Sequence, residues 1–408
     1  MPKLYFNSHR SADLPLHYGR VPPWLAERMS LLSGAIVESI VLEYGKSAFL
    51  NRLSDPFWFQ AFGCVLGMDW HSSGVTTSVM GALRRSVNPR FKDLGLYICG
   101  GKGKYSRQTP HELLSFSERT GLNGDELVRL SKLTAKVDNT AVQDGFQIYL
   151  HTFIVSKEGE WSVVQQGMND ASGMARRYHW HSAHVKSFVE EPHTFVYGKN
   201  QGQIINLTDL KARETKSAML SITQENPDLT LKEVQKLVMP KHHDVRAENI
   251  DLKRLGAVLA VAHEKEVRDF ESLLLLEGVG PRTIQSLALV SEIVHGTPIR
   301  FSDPARFSFA HGGKDGHPFP VPTNVYDETI QILQHSVERA KIGDPDKFKA
   351  IKSLSLVSQM LEESFVPDSS NFENMIQKER DESYKYAGRT VFGKAKPPKK
   401  DDNQLSLF

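Results

Sequence analysis

Between residues 69 and 193 the side chains able to do chemistry come in tight groups. They are Asp69 and His71; Lys102, Lys104 and Arg107; Asp138 and Asn139; Gln143 and Asp144; His151; Gln165 and Gln166; Arg176, Arg177, His179 and His181; and Glu190, Glu191 and His193. Carboxylates, histidines and amides at this density are donors for a divalent cation, which activates water and stabilises charge on a scissile phosphate. Asp138 and Asp144 are the expected metal ligands, with magnesium or manganese as the expected ion. His151 and His179 are the expected proton carriers and complete a candidate catalytic set of four. Imidazole also works without a metal, as a nucleophile or an acid–base pair. Each group has a plainer reading beside the chemical one. Asp69 and Asp144 cap helices, Gln165 and Gln166 sit on a solvated strand face, and Arg176, Arg177, His179 and His181 grip phosphate as a basic–aromatic patch. Lys102 and Lys104 lie in GGKGKYSR, a basic loop suited to phosphate contact but without the GxxxxGK[ST] pattern of a nucleotide-cradling loop.

The sharpest motif lies elsewhere, in DFESLLLLEGVGPRTIQSLALVSEIVHG at 269–296. Leu273, Leu274 and Leu276 lead into Gly278, Val279 and Gly280, and a second helix follows with Ile284, Leu287, Ala288 and Ile293 facing inward. This resembles the helix-hairpin-helix of DNA repair and recombination proteins. Two glycines permit a tight turn and let its backbone approach a phosphate. The N–H groups that open the second helix point at that anion, favoured there by the helix dipole. Arg282 and Thr283 stand in that first turn. Such contacts position a duplex without reading its sequence. The plain alternative is an αα-hairpin with a glycine turn. One hairpin binds weakly, so a second contact surface or a homodimer is implied. The helix-hairpin-helix glycosylases place a catalytic Asp about two dozen residues further on, where Asp303 stands; an Asp-Pro helix start explains that residue equally. His184-Val185-Lys186 with Glu191 has the spacing of half a phospholipase-D-like motif, has no second copy, and is read as coincidence.

The chain ends in Gln404-Leu405-Ser406-Leu407-Phe408 after GKAKPPKKDDN. The pentapeptide matches the pattern by which bacterial proteins dock on the replication sliding clamp. The glutamine bonds at a pocket rim, leucine and phenylalanine fill an apolar cleft, and a flexible tether presents them.

These features need elements to hold them. With 408 residues, 40% hydrophobic and 24% charged, the chain carries enough apolar material for two or three folded units and is not wholly disordered. Fifty basic against 48 acidic side chains rule out a globally basic coat, not a local patch. Two cysteines exclude a disulfide framework or a cysteine-rich zinc site. No apolar stretch approaches membrane-spanning length, and MPKLYFNSHRSADLPL lacks a signal-peptide core, so a cytoplasmic, nucleoid-associated protein is expected.

Helical periodicity is expected over 22–52, after Asp55-Pro56, and over about 75–87. A short buried strand and a Gly/Lys loop follow in 94–105, and Thr109 with Glu112 reads as a capping box. The runs 146–156 and 160–168, split by KEGE, form a hairpin, and 193–208 continues the strand pattern. Helices return over 230–311 and twice more in 321–365. The expected fold is therefore α+β: a helical N-terminal region with a mixed or antiparallel sheet (1–208), a mostly helical unit carrying the hairpin (209–365), and a flexible tail (366–408).

The segments GRVPPWL, SDPFWFQAFGCVLGMDWHSSGVTT, KVDNTAVQDGFQIYLHTF, VVQQGMN, ARRYHWHS, GVGPRT and DPARFSFAHGGKDGHPFPV together resemble the family catalogued as domain of unknown function 763. That resemblance runs through most of the chain before the tail and brings no catalytic residue with it. The residues themselves lead to a DNA-processing enzyme, a metal-assisted nuclease of repair or recombination recruited by the clamp. Gly278, Val279, Gly280, Arg282, Thr283, Lys102, Lys104, Arg176 and Arg177 would hold DNA. The alternatives are a non-catalytic, clamp-tethered DNA-binding adaptor and a base-excision glycosylase.

Overall fold

The computed structural model describes residues 14–15, 21–68, 73–236, 252–305, 323–364, 389–390 and 393–394. The strands are β1 (Leu14–Pro15), β2 (Leu96–Lys102), β3 (Val142–Gln143), β4 (Gln147–Ser156), β5 (Trp161–Asn169), β6 (Met174–His181), β7 (Phe195–Tyr197), β8 (Gln203–Asn206), β9 (Phe301–Ser302), β10 (Arg389–Thr390) and β11 (Gly393–Lys394). The helices are α1 (Pro23–Leu53), α2 (Pro56–Val65), α3 (Gly74–Val87), α4 (Phe91–Leu94), α5 (Thr109–Thr120), α6 (Gly124–Lys136), α7 (Arg213–Gln224), α8 (Pro227–Lys236), α9 (Leu252–Glu264), α10 (Phe270–Leu275), α11 (Pro281–His295), α12 (Thr323–Arg339) and α13 (Asp344–Ser364). The fold is α+β. Among the described residues no helix is long and apolar enough to cross a membrane.

The main sheet runs β1-β6-β5-β4-β2, antiparallel throughout, with β7 also on β6. Its centre is the expected β4–β5 hairpin. The third long strand, β6, is MARRYHWH, whose Arg176, Arg177, His179 and His181 the sequence offers as a basic–aromatic patch. Charged residues hide its alternation, yet Ala175, Tyr178 and Trp180 are buried together with Arg176, Arg177 and His179. A second, three-stranded sheet runs β3-β8-β9.

Local chemistry explains the helix starts. Asp55 caps α2, accepting from the N–H groups of Phe57 at 2.7 Å and Trp58 at 3.0 Å. The capping box expected at α5 does not form. Thr109 lies inside the helix and donates to the Ser106 carbonyl, while Glu112 accepts from the Gly100 N–H at 2.7 Å and from Arg84 at 2.5 Å. An unsatisfied strand N–H and a cation hold that carboxylate better than its own helix start does.

Because strand side chains alternate, each face of the main sheet carries its own core. Phe153, Val155, Val163, Tyr178 and Trp180 join one apolar cluster with residues of α5–α7 and α9–α11. Ile98, Ile154 and Val164 join another with α1–α3, α12 and α13. The division expected at residue 208 is therefore not a break in packing. Leu273, Ile284 and Leu287 lie in one core with Phe153 and Trp180, since neither half alone covers that face.

Candidate functional site

The alternation of β6 sends its two adjacent arginines to opposite faces. Arg176 is fully buried between two carboxylates. It meets Asp303 through two nitrogens, at 2.9 and 2.8 Å, and Asp144 at 2.9 Å, while Tyr178 donates its hydroxyl to Asp144 at 2.5 Å. Burial opposes the charge of Arg176, but Asp144 and Asp303 outweigh it and hold its pKa above the usual arginine value. Burial pushes the Asp144 carboxyl up against the pull of Arg176. Asp303 further accepts from the N–H groups of Gln201 at 2.8 Å and Ala305 at 2.9 Å. Asp144–Arg176–Asp303 is a lock between the main sheet and the end of β9.

Beside it on the same face is a second network. Asp138, in the π-turn 137–141 that follows α6, has no exposed surface. It accepts from the Gln165 amide at 2.5 Å, the Trp180 indole at 2.9 Å and His193. Burial is the leading cause that raises its pKa, ahead of the opposing His193. The Gln165 carbonyl accepts from His151 Nδ1 at 2.8 Å, which leaves Nε2 to accept from Ser131 at 2.8 Å. Burial lowers the pKa of His151 to about 4, so the ring is neutral near pH 7.

On the opposite face Arg177 donates to His179 Nε2 at 2.9 Å, Gln60 at 3.1 Å and Thr76 at 3.2 Å. Its guanidinium lies 4.5 Å from the Phe59 ring centroid, and burial lowers its pKa to about 10. His179 donates from Nδ1 to the Leu53 carbonyl at 2.9 Å; burial and then Arg177 hold its pKa well below the ordinary value. A bulge between Ile148 and Leu150 reaims Tyr149 toward this face, where its hydroxyl accepts from Gln166.

The expected catalytic set is thus dispersed. His179 stands across the sheet from Asp138, Asp144 and His151, and all four have internal partners. Asp138 and Asp144 do not fit a metal pair: their oxygens already accept from Gln165, Trp180 and His193, and from Arg176, Tyr178 and the Phe146 N–H. Among the described residues no three His, Cys, Asp or Glu side chains group as ligands. The expected phosphate clamp Arg176 serves the lock instead, and Arg177 is buried beneath α2 and α3. Asp138 is held by Gln165 and His193, which the sequence offers as separate polar groups, and by Trp180, to which it assigns no role; the alternation in 174–181 is the signal that places Trp180 on the Asp138 face.

The expected backbone-binding turn is laid out differently. Gly278 has φ +83°, the left-handed region that glycine enters freely, and Gly280 is extended and opens α11 without a side-chain cap. Glu277, Gly278, Pro281 and Arg282 are exposed, whereas Val279 and Thr283 are buried. Lys136 donates to the Val279 carbonyl, and the Gln143 amide to that of Pro281 at 2.9 Å, so the turn is tied to the π-turn region by its carbonyl groups. Lys102 and Lys104 are exposed at the end of β2 and in the turn after it. Gln404–Phe408 lie outside the described residues.

The family model described as protein of unknown function DUF763 matches residues 10–321. No curated protein and no solved structure matches the chain.

Proposed function

We propose, for a chain that belongs to the DUF763 family of proteins of unknown function, that it binds DNA through the backbone of the turn between α10 and α11. The observation that carries this reading is the uncapped start of α11 behind two glycines. The turn's carbonyl groups are tied to Lys136 and Gln143, and exposed Arg282 stands beside the N–H groups of the first helical turn. A phosphate there takes two backbone donors, the helix dipole and one cation. Contacts of this kind are independent of sequence and sensitive to salt.

The reading is that of a DNA-binding adaptor of repair or recombination at the nucleoid, brought to its sites by a sliding clamp through Gln404–Phe408. It is favoured over a metal-dependent nuclease because Asp138 and Asp144 are engaged inside the protein. The lock on Arg176 accounts for Asp303 without a glycosylase role. The test is binding and cleavage of end-labelled single-stranded, duplex and flapped DNA with magnesium, with manganese and with EDTA. Binding in all three conditions without cutting is expected. Metal-dependent cutting abolished by Asp138→Ala/Asp144→Ala would overturn the adaptor reading, and absence of binding would overturn DNA recognition altogether.

A further inference from the structure

At the C-terminal end of the edge strand β2, the chain turns through 103–108 into α5 and carries Lys102, Lys104, Tyr105 and Arg107 outward, all four exposed. This turn is built firmly. Gly100 has φ +84°, and a Cβ there would collide with the His151 carbonyl and the Thr109 hydroxyl. Glu112 accepts from the Gly100 N–H and from Arg84, and Arg84 also donates to the Gly100 carbonyl. The Arg84 guanidinium so anchored lies 5.4 Å from the Tyr105 ring centroid, and Tyr105 is 46% exposed. Its ring has a fixed cationic neighbour while much of it meets water.

A second ring stands at the same corner of the sheet. Lys102 pairs with Leu150, the neighbour of Tyr149, and the Lys102 ammonium lies 5.5 Å from the Tyr149 ring centroid. Lys104 stands 5.5 Å from the Tyr105 centroid. From Gly100 to Thr109 there is no acidic residue. An exposed, supported aromatic ring among solvated cations suits a chain of unstacked bases joined by phosphates: the rings stack on bases and the cations follow the backbone. A duplex, whose bases are already stacked and paired, offers no ring face to Tyr105.

We infer that the β2–α5 turn is a single-stranded DNA platform, with Tyr105 as its stacking residue and Lys102, Lys104 and Arg107 as phosphate contacts. This rests on the DNA-binding reading and adds a strand form to it: the hairpin turn holds duplex and the platform holds single strand.

The test is fluorescence anisotropy of the full chain with labelled oligo(dT), oligo(rU) and a blunt duplex. Base stacking of about 1–3 kcal/mol per base predicts that Tyr105→Ala weakens oligo(dT) binding about 5- to 150-fold. Tyr105→Phe retains that binding, and Lys102→Ala/Lys104→Ala flattens its salt dependence. Tyr105→Ala leaves duplex affinity and the thermal unfolding midpoint unchanged. The platform is overturned if oligo(dT) does not bind, if Tyr105→Ala has no effect, or if duplex affinity falls equally. Equal or tighter binding of oligo(rU) overturns the assignment to DNA. Tyr105-dependent oligo(dT) binding with no duplex binding would leave the platform standing and remove the hairpin's role.

Discussion

At the residue scale the decisive fact is that neighbours in sequence part company in space. Arg176 and Arg177 look like one basic cluster, but Arg176 is closed off by two carboxylates and Arg177 by neutral groups. Asp303→Ala leaves Arg176 paired with Asp144 but takes away its second carboxylate and the acceptor of the Gln201 and Ala305 N–H groups. A buried donor left unsatisfied costs about 1–3 kcal/mol, so the variant is expected to lower unfolding free energy by about that much in urea titration. Retained stability with a lost activity would instead point to a catalytic Asp303. His151 supplies the pH test. Its folded pKa of about 4 lies below the ordinary 6.5, so protonation favours the unfolded chain. Its contribution is present above about pH 6.5 and is lost as pH falls toward 4. Stability against pH should decline over that window, and His151→Gln should flatten the decline. Asp138 and Asp144 were legible as polar residues of note. Their pairings were not, because Arg176 stands 32 residues from Asp144 and His193 stands 55 from Asp138, and no local pattern links them.

At the element scale the long periodic segments were readable and the short irregular ones were not. The α1, α2 and α3 helices follow apolar spacing and an Asp-Pro start, and β4 and β5 follow the apolar runs around KEGE. The strand β6 escaped because its inward positions include Arg176, Arg177 and His179, residue types that ordinarily mark a surface. The turn after α10 was read from Gly278 and Gly280, and glycine at φ +83° is what that turn requires. For the turn proposed to bind DNA, Arg282→Ala should weaken duplex binding alike for all sequences and reduce the log–log salt slope by about one. Glu277→Gln, which removes the exposed carboxylate beside the glycines, should strengthen binding. Both are read by anisotropy at several salt concentrations, and sequence-dependent effects would contradict backbone recognition.

At the scale of the whole molecule one sheet carries two cores, and each core draws on residues from both sides of position 208. A fragment of residues 1–208 would lose α7 and α9–α11, whose apolar side chains share the core of Phe153 and Trp180. It should lack the near-ultraviolet dichroism and cooperative unfolding of the full chain; a fragment that melts cooperatively would contradict the shared core. The tail is predicted to act separately: Leu407→Ala/Phe408→Ala should abolish capture by a bacterial sliding clamp while leaving duplex affinity unchanged. The central claim is that the turn of Gly278–Gly280 holds the DNA backbone. Salt-titrated anisotropy of the full chain with two duplexes of unrelated sequence, beside Gly278→Val, tests it most directly. The left-handed backbone makes a branched side chain at 278 cost about 1–2 kcal/mol locally, well short of global unfolding. The account predicts equal, salt-dependent binding of both duplexes, with Gly278→Val weakening both about tenfold or more through loss of phosphate contacts. Binding that survives Gly278→Val unchanged, or that distinguishes the two sequences, would contradict it.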